Sequence, residues 1–310
     1  MTSSALIESF EGELLECEPL ARHTYYRIGG PADFLAFPKN LNALSQLGKF
    51  IQERRLPYFI LGQGSNLLVS DDGFRGVVIR MSKLDLGIEL EEGGLVRTGA
   101  SVAISSLLRK CGAEGWAGLE FLAGIPGSVG GAVYMNAGTH LGESKDRLDS
   151  VTLVDLFGGA REVRDQQLVY MYRQNGFILE TEIVVSASWK ITKASSETVK
   201  RQLEELLARR KATQPVNFPS CGSVFKNPKG TGHQAWQVVD RLGLRGHRVG
   251  NAQISEKHSN WIVNLGGATA GDVYSLICMC KERASRELGI ELEEEVRYVG
   301  RHFDAMQYTD

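Results

Sequence analysis

Two glycine-rich stretches and one serine-centred segment hold the residue types best suited to chemistry. In "LGQGSNLLV", Gly62 and Gly64 directly follow an apolar run, and Ser65 and Asn66 offer side-chain donors behind them. Glycine lets the backbone turn sharply and lets a phosphate reach main-chain N–H groups that a Cβ would obstruct. A strand-ending turn uses the same residues, and the pattern alone favours neither reading. No G-K-[S/T] follows and the next run reads as strand, so this is neither a P-loop nor a G-x-G-x-x-G fingerprint. The second stretch, "WAGLEFLAGIPGSVGGAVYMNAG" (116–138), interleaves Gly118, Gly124, Gly127, Gly130, Gly131 and Gly138 with apolar residues rather than with charge. A flexible linker would be polar, so these glycines serve close backbone approach in a packed region. Tight turns in a crowded β-domain would need the same residues, but two such stretches favour a dinucleotide-like ligand.

In "QPVNFPSCGSVFKNP" (214–228) Ser223 follows a glycine and precedes Lys226 and Asn227. By residue type alone it is a turn serine. The acidic run in "LEEEVRYVG" (292–300) reads as a solvated face, and Arg173 in "YMYRQNGF" as a surface arginine. His258, in "SEKHSNW", is of the type that titrates near neutrality, and is read as structural or close to a pyridine nucleotide. The six histidines and five cysteines show no metal-ligand or disulfide spacing, so no metal site is expected.

The elements that must position these residues follow from periodicity. The chain has 310 residues, which suits two or three compact units. Its 35 Lys and Arg against 37 Asp and Glu are interspersed, which gives no positive field to recruit nucleic acid. No leader-like or bilayer-spanning run is present, so a cytoplasmic protein is expected. The spacing of Leu41, Leu44, Leu47, Phe50 and Ile51 predicts a helix capped by Asn40 and stopped by Pro57. Strands follow at 58–62, 67–70 and "VVIR", then a hairpin over 84–100 and a helix in "SVAISSLLRKCGAEG". A second hairpin turns at Gly158 and Gly159 in 151–164, and "TEIVVSASWKI" is a further strand. From 195 a charged amphipathic helix marks a boundary, capped by Ser195 or Ser196. Beyond it a helix at 232–242, the strand "NWIVNL", a helix over 271–289 closed by Gly289 and the strand "VRYVG" complete the pattern.

These blocks, with "HTYYRIGGPADFLAFP" (23–38) and "GNAQISEKHSNWIVN" (250–264), stand in the order and register of the UDP-N-acetylenolpyruvoylglucosamine reductases. The chain resembles that family from residue 20 to 300. The resemblance implies an α+β protein with a two-part FAD-binding domain of the vanillyl-alcohol-oxidase-like (PCMH-type) fold, here 1–82 and 83–212. A C-terminal α/β substrate-binding domain at 213–302 and a tail at 303–310 follow. It implies bound FAD, NADPH as co-substrate and a small-molecule sugar nucleotide as substrate. No nucleic-acid or membrane partner is expected, and the lack of a long exposed apolar stripe suggests a monomer.

Carried over residue by residue, the resemblance implies that Gly62, Gly64, Ser65, Asn66, Pro126, Gly127, Ser128, Gly130 and Gly131 contact the flavin. Arg173 would bind the substrate carboxylate, with Tyr172 beside it; Glu295 would stabilise an enol, and Ser223 would protonate the α-carbon. Lys226 and Asn227 would touch the substrate. Two departures stand out: Asn175 occupies the usual place of a serine and Glu294 that of a proline. Arg173 and Ser223 lie close enough in sequence to match the shorter subtype, which lacks an inserted tyrosine loop. A sugar or lactone oxidase on the same scaffold would explain the glycines but would leave "GSVFKNP" and "LEEEVRYVG" without a reason.

Overall fold

The computed structural model describes residues 10–84 and 86–300; the expected tail at 303–310 lies outside them. Contacts divide the chain into two compact units. One comprises the chain up to Glu16 with Phe34–Gln63 and Gly76–Arg210, the other Cys17–Asp33, Gly64–Arg75 and the chain from Lys211 onward.

In the first unit, helix α1 (Leu41–Arg54) starts where Asn40 Oδ1 accepts from the Ala43 amide at 2.8 Å. This satisfies one of the amides that the first helical turn leaves open. Its apolar face buries Leu44, Leu47 and Ile51 in a cluster with Val77, Ile79 and Ile183. A four-stranded sheet runs in the order Gly12–Pro19, Pro31–Pro38, Phe74–Arg80, Tyr58–Leu61, with Tyr58–Leu61 parallel to Phe74–Arg80; the unit limits cut within three of these strands. A five-stranded antiparallel sheet orders Ala160–Arg164, Leu148–Asp155, Glu182–Lys190, Leu95–Gly99 and Ile88–Glu91. Both expected hairpins are edges of this sheet.

Helix α2 (Ile104–Glu114) packs Ile104, Leu107 and Leu108 into a second cluster around the fully buried Trp189. The Trp189 indole N–H donates to Thr98 Oγ1 at 2.9 Å, so its polar edge is paired while its rings are buried. Burial of a side chain of this size contributes about 1.5–3 kcal/mol or more. Within the glycine-rich stretch a short helix forms, α3 (Val129–Tyr134), which Ser128 caps by accepting from the Gly131 amide at 3.3 Å. Helix α4 (Ser196–Thr213) begins at Ser195, whose Oγ accepts from the Thr198 amide at 3.1 Å.

The second unit buries its own cluster, built from Tyr26, Ile28, Leu68, Val224, Phe225, Ile262, Ile277 and their neighbours. Helix α5 (Ala235–Arg241) is shorter than expected, because residues before it turn through Gly230 and Gly232, both at positive φ. Helix α6 (Ala270–Leu288) opens on a Thr269/Asp272 capping box and closes at Gly289. It packs against a three-stranded antiparallel sheet of Arg248–Val249, Ala252–Ile254 and Ile262–Asn264. The last strand, Arg297–Val299, pairs in parallel with Leu67–Val69. Cys278 is exposed and Cys280 buried, and all five cysteines are free. No helix among the described residues is long and apolar enough to cross a membrane.

Candidate active site

The expected site residues are divided between the units. Gly62, Pro126, Gly127, Ser128, Gly130, Gly131, Tyr172 and Arg173 belong to the first; Gly64, Ser65, Asn66, Ser223, Lys226, Asn227 and Glu295 to the second.

In the first unit the two glycine stretches meet. A Cβ on Gly62 would stand 3.0 Å from Ser128 Oγ, so bare main chain faces the cap of α3. Gly62 and Gly131 are both exposed. Gly130 serves packing instead, because its amide is spent on the Ala100 carbonyl at 2.9 Å and a Cβ on it would stand 3.0 Å from Ala100 Cβ. Val129 donates to Val102 and Ile104 to Gly127, at 2.9 and 3.0 Å, which stitches this loop to the start of α2. The short helix therefore forms despite poor propensity, because tertiary hydrogen bonds fix it.

Arg173 lies at the tip of a tight hairpin of Tyr170–Met171 and Gln174–Asn175. Its φ of 56° is a conformation that costs a non-glycine residue about 1–2 kcal/mol. The hairpin base compensates: Tyr170 Oη donates to the Val133 carbonyl and Asn175 Nδ2 to the Tyr134 carbonyl, each at 2.9 Å. The side chain is only 15% exposed; its guanidinium donates to the carbonyls of Asn136 (3.3 Å) and Gly138 (2.9 Å), lies 3.5 Å from Glu143 Oε1 and covers the Tyr172 ring at 5.0 Å. Asn136, fully buried, fixes this arrangement by donating to Glu143 Oε2 at 2.9 Å and to the Met171 carbonyl at 3.2 Å. Sequence reasoning missed Asn136 and Glu143. They lie near and just beyond the end of the glycine-rich stretch, and by residue type neither stands out there.

In the second unit Gly64 has φ 66°, and a Cβ on it would fall 2.3 Å from the His23 carbonyl oxygen, so only glycine fits this turn. Ser65 and Asn66 are half-buried beside it. Asn66 Nδ2 donates to the Glu295 carbonyl at 3.0 Å, while the Arg297 amide donates to the Asn66 carbonyl at 3.0 Å. The glycine turn thus holds the acidic strand directly. On its other side that strand pairs with the serine segment: Glu295 N donates to Val224 O and Lys226 N to Glu293 O, both at 2.8 Å.

The three consecutive glutamates separate by their partners. Glu293 pairs with Lys226; Glu294 takes Lys281 of α6 at 2.8 Å and the Tyr298 hydroxyl at 3.3 Å. Glu294, the departure from the family pattern, is therefore neutralised locally. Asn227 Oδ1 accepts from the Ala235 amide at 3.0 Å, at the first residue of α5. Cys221, two residues before Ser223, is buried, and burial pushes its thiol up to about 12, so it stays neutral at neutral pH. Burial likewise raises the Tyr26 hydroxyl, which donates to the Ile262 carbonyl at 2.9 Å. Cys221 and Tyr26 thus add no charge beside the serine segment at neutral pH. The first unit also holds a cleft of about 680 Å³ lined by Glu120, Arg147, Glu205 and Arg209 among others, and none of the expected site residues lines it.

Comparison with known proteins bears on this arrangement. Residues 32–164 match the model of an FAD binding domain, and residues 214–299 match the C-terminal domain of UDP-N-acetylenolpyruvoylglucosamine reductase. A protein of that name from Trichlorobacter lovleyi is 44% identical over 93% of this chain and 93% of its own length. One from Geobacter metallireducens is 43% identical over 93% and 95%. The crystal structure of UDP-N-acetylenolpyruvylglucosamine reductase from Thermus caldophilus superposes with a TM-score of 0.77 at 34% identity, covering 93% of this chain and 99% of that one. A berberine-bridge-enzyme-like protein from Physcomitrella patens shares the fold alone, at 14% identity and a TM-score of 0.50. The expected α+β architecture with an FAD-binding domain is therefore the one observed.

Proposed function

The chain belongs to the UDP-N-acetylenolpyruvoylglucosamine reductase family of FAD-dependent oxidoreductases, and from that premise we propose the reaction it performs. It reduces UDP-N-acetyl-3-O-(1-carboxyvinyl)-glucosamine to UDP-N-acetylmuramate, a peptidoglycan precursor, with NADPH as reductant, as a cytoplasmic monomer. The flavin-holding part spans 1–82 and 83–212, and the substrate-holding part 213–302.

The residues present suit a flavin. Gly62 exposes main chain beside the Ser128 cap, where a side chain would crowd Ser128 Oγ at 3.0 Å, and Gly131, exposed at the start of α3, carries no side chain to cover it. Gly64, Ser65 and Asn66 continue the first of these turns, and Pro126 and Gly127 enter the second. FAD, when bound, supplies the two-electron carrier between the pyridine nucleotide and the enolpyruvyl double bond.

The chain's own residues then have a defined electrostatic role. A hydride arriving at the methylene carbon sends the π electrons to the α-carbon and its carboxylate, and this charge must be stabilised. Arg173, cationic and held nearly rigid, binds that carboxylate, with Tyr172 flanking it. Glu295, as a neutral acid, donates a hydrogen bond to the developing enolate. The Ser223 hydroxyl delivers its proton to the α-carbon and is reprotonated from solvent. Such a weak acid works only against a strongly basic carbanion in a site shielded from water. Lys226 and Nδ2 of Asn227 reach the polar groups of the sugar nucleotide.

The observation that carries this reading is the pairing of Val224 and Lys226 with Glu295 and Glu293, at 2.8 Å on both sides. It sets the serine segment beside the acidic run, although some seventy residues separate them in sequence. Incubating the purified protein with NADPH and the enolpyruvyl UDP-sugar tests it. The sugar nucleotide should gain two hydrogens, with NADPH consumed in equal amount; NADPH loss that needs oxygen and ignores the sugar would overturn the reading.

A further inference from the structure

The 250–264 motif has no part in the chemistry proposed above, yet it contains a buried polar side chain with an unusual set of partners. Asn260 is 5% exposed. Its Oδ1 accepts from the Phe225 amide at 2.9 Å, its Nδ2 donates to the Phe225 carbonyl at 2.8 Å, and its own carbonyl accepts from the Val224 amide at 2.9 Å. One carboxamide thus satisfies both main-chain groups of Phe225, as an adjacent strand would do.

Four residues on, the Asn264 amide donates to the Pro219 carbonyl at 2.9 Å. The 219–225 segment is therefore fastened to residues 260–264 on both sides of Ser223, with Gly222 at φ 81° between the anchors. The fastening segment is itself fixed. Ser255 N donates to the Trp261 carbonyl at 2.8 Å, and Ser259 Oγ to the Trp236 carbonyl at 2.9 Å. The Tyr26 hydroxyl holds Ile262 from the other side.

We infer that Asn260 is the positioning residue for Ser223, fixing the direction in which that hydroxyl delivers its proton; the inference rests on the proposed role of Ser223. Only asparagine meets the geometry. Glutamine is one methylene too long, aspartate lacks the donor, and leucine or alanine leaves a buried N–H and C=O unpaired. A displacement of about 1 Å in a reacting group costs on the order of 10²-fold in rate, so loosening a tether on the next two residues is felt in catalysis.

The test uses the flavin-loaded holoenzyme under anaerobic stopped flow, reading bleaching by NADPH and reoxidation by the enolpyruvyl UDP-sugar separately. Asn260→Ala should leave bleaching within about twofold and slow reoxidation about 10- to 100-fold. In a Ser223→Ala background the same substitution should add less than about twofold. Equal slowing of both half-reactions, or full multiplication in the double variant, would make Asn260 a merely structural residue and end the inference. If Asn260→Ala is purified without flavin, the isosteric Asn260→Asp is subject to the same criteria. If Ser223→Ala alone leaves reoxidation untouched, the role of Ser223 falls and the positioning role with it; if Ser223→Ala slows reoxidation and Asn260→Ala does not, only the latter falls.

Discussion

Arg173 stands on a hairpin tip at φ 56°, its guanidinium spread over two carbonyls and a carboxylate. Ser223 precedes a segment whose amides and carbonyls are taken up by the acidic strand and by the Asn260 carboxamide. The first region holds a charge in place by many contacts to the side chain itself. The second holds a neutral hydroxyl by fixing the backbone on either side of it. The difference follows from chemistry. A cation on a long side chain can be gripped by dipoles and anions along its reach, whereas a serine hydroxyl, one bond from Cβ, takes its position from the backbone that carries it. Its direction must be set by the main chain.

The largest effect should come from the backbone-held side. Ser223→Ala should slow flavin reoxidation by the enolpyruvyl sugar by about 10²–10⁴-fold, the usual worth of a general acid, while bleaching by NADPH stays as it was. A reoxidation rate within a few fold of the unaltered protein would remove Ser223 from the chemistry.

The acidic run sharpens the same side. Glu295→Ala should lower kcat about 10²–10³-fold. Glu294→Ala should stay within about twofold, because Glu294 is committed to Lys281 and Tyr298. Steady-state rates of the two variants would show whether the roles are reversed.

On the side-chain-held side, Arg173→Lys keeps the charge but cannot span both carbonyls. A loss of about 10- to 100-fold in kcat/KM for the sugar nucleotide is expected, and an unchanged value would mean that charge alone suffices there.

The smallest effect tests the scaffold beneath the hairpin. Glu182, with a side chain 5% exposed, takes Arg161 at 2.5 and 2.7 Å and the Leu179 amide at 2.8 Å. The Arg161 hydrogen bond, helped by the Leu179 amide, holds its carboxyl below the ordinary range. A depressed folded value means that this stability is fully present above the unfolded value of about 4.3 and is lost as pH falls through the folded one. Since Arg161 is 43% exposed, Glu182→Gln should cost only about 1–2 kcal/mol at neutral pH. The gap between native and variant should close as pH falls below about 4.3; in urea melts, a constant gap would exclude the linkage.

Much of this architecture is legible locally. The Asn40 cap, the hairpins around Gly158 and before Gly99, and the closing Gly289 follow from periodicity and capping chemistry that neighbouring residues dictate. Helix α3 was not legible, because Gly130 and Gly131 argue against a helix and the bonds to Ala100 and Val102 that fix it come from a distant segment. The parallel pairing of Leu67–Val69 with Arg297–Val299 joins residues about 230 apart, which no local pattern reveals. The site divides in the same way. Arg173, Ser223 and Glu295 could be singled out only through the family motif, since by type they read as surface arginine, turn serine and solvated acid. Asn260 and Asn136 escaped notice because a buried carboxamide is recognisable only by what it bonds.

The central claim is a two-step electron transfer ending on the enolpyruvyl sugar, and an anaerobic titration of the purified protein tests it most directly. The visible flavin bands should bleach on adding NADPH and recover only when the enolpyruvyl UDP-sugar follows. A protein that carries no flavin, or whose bleached flavin ignores the sugar nucleotide, would contradict the account.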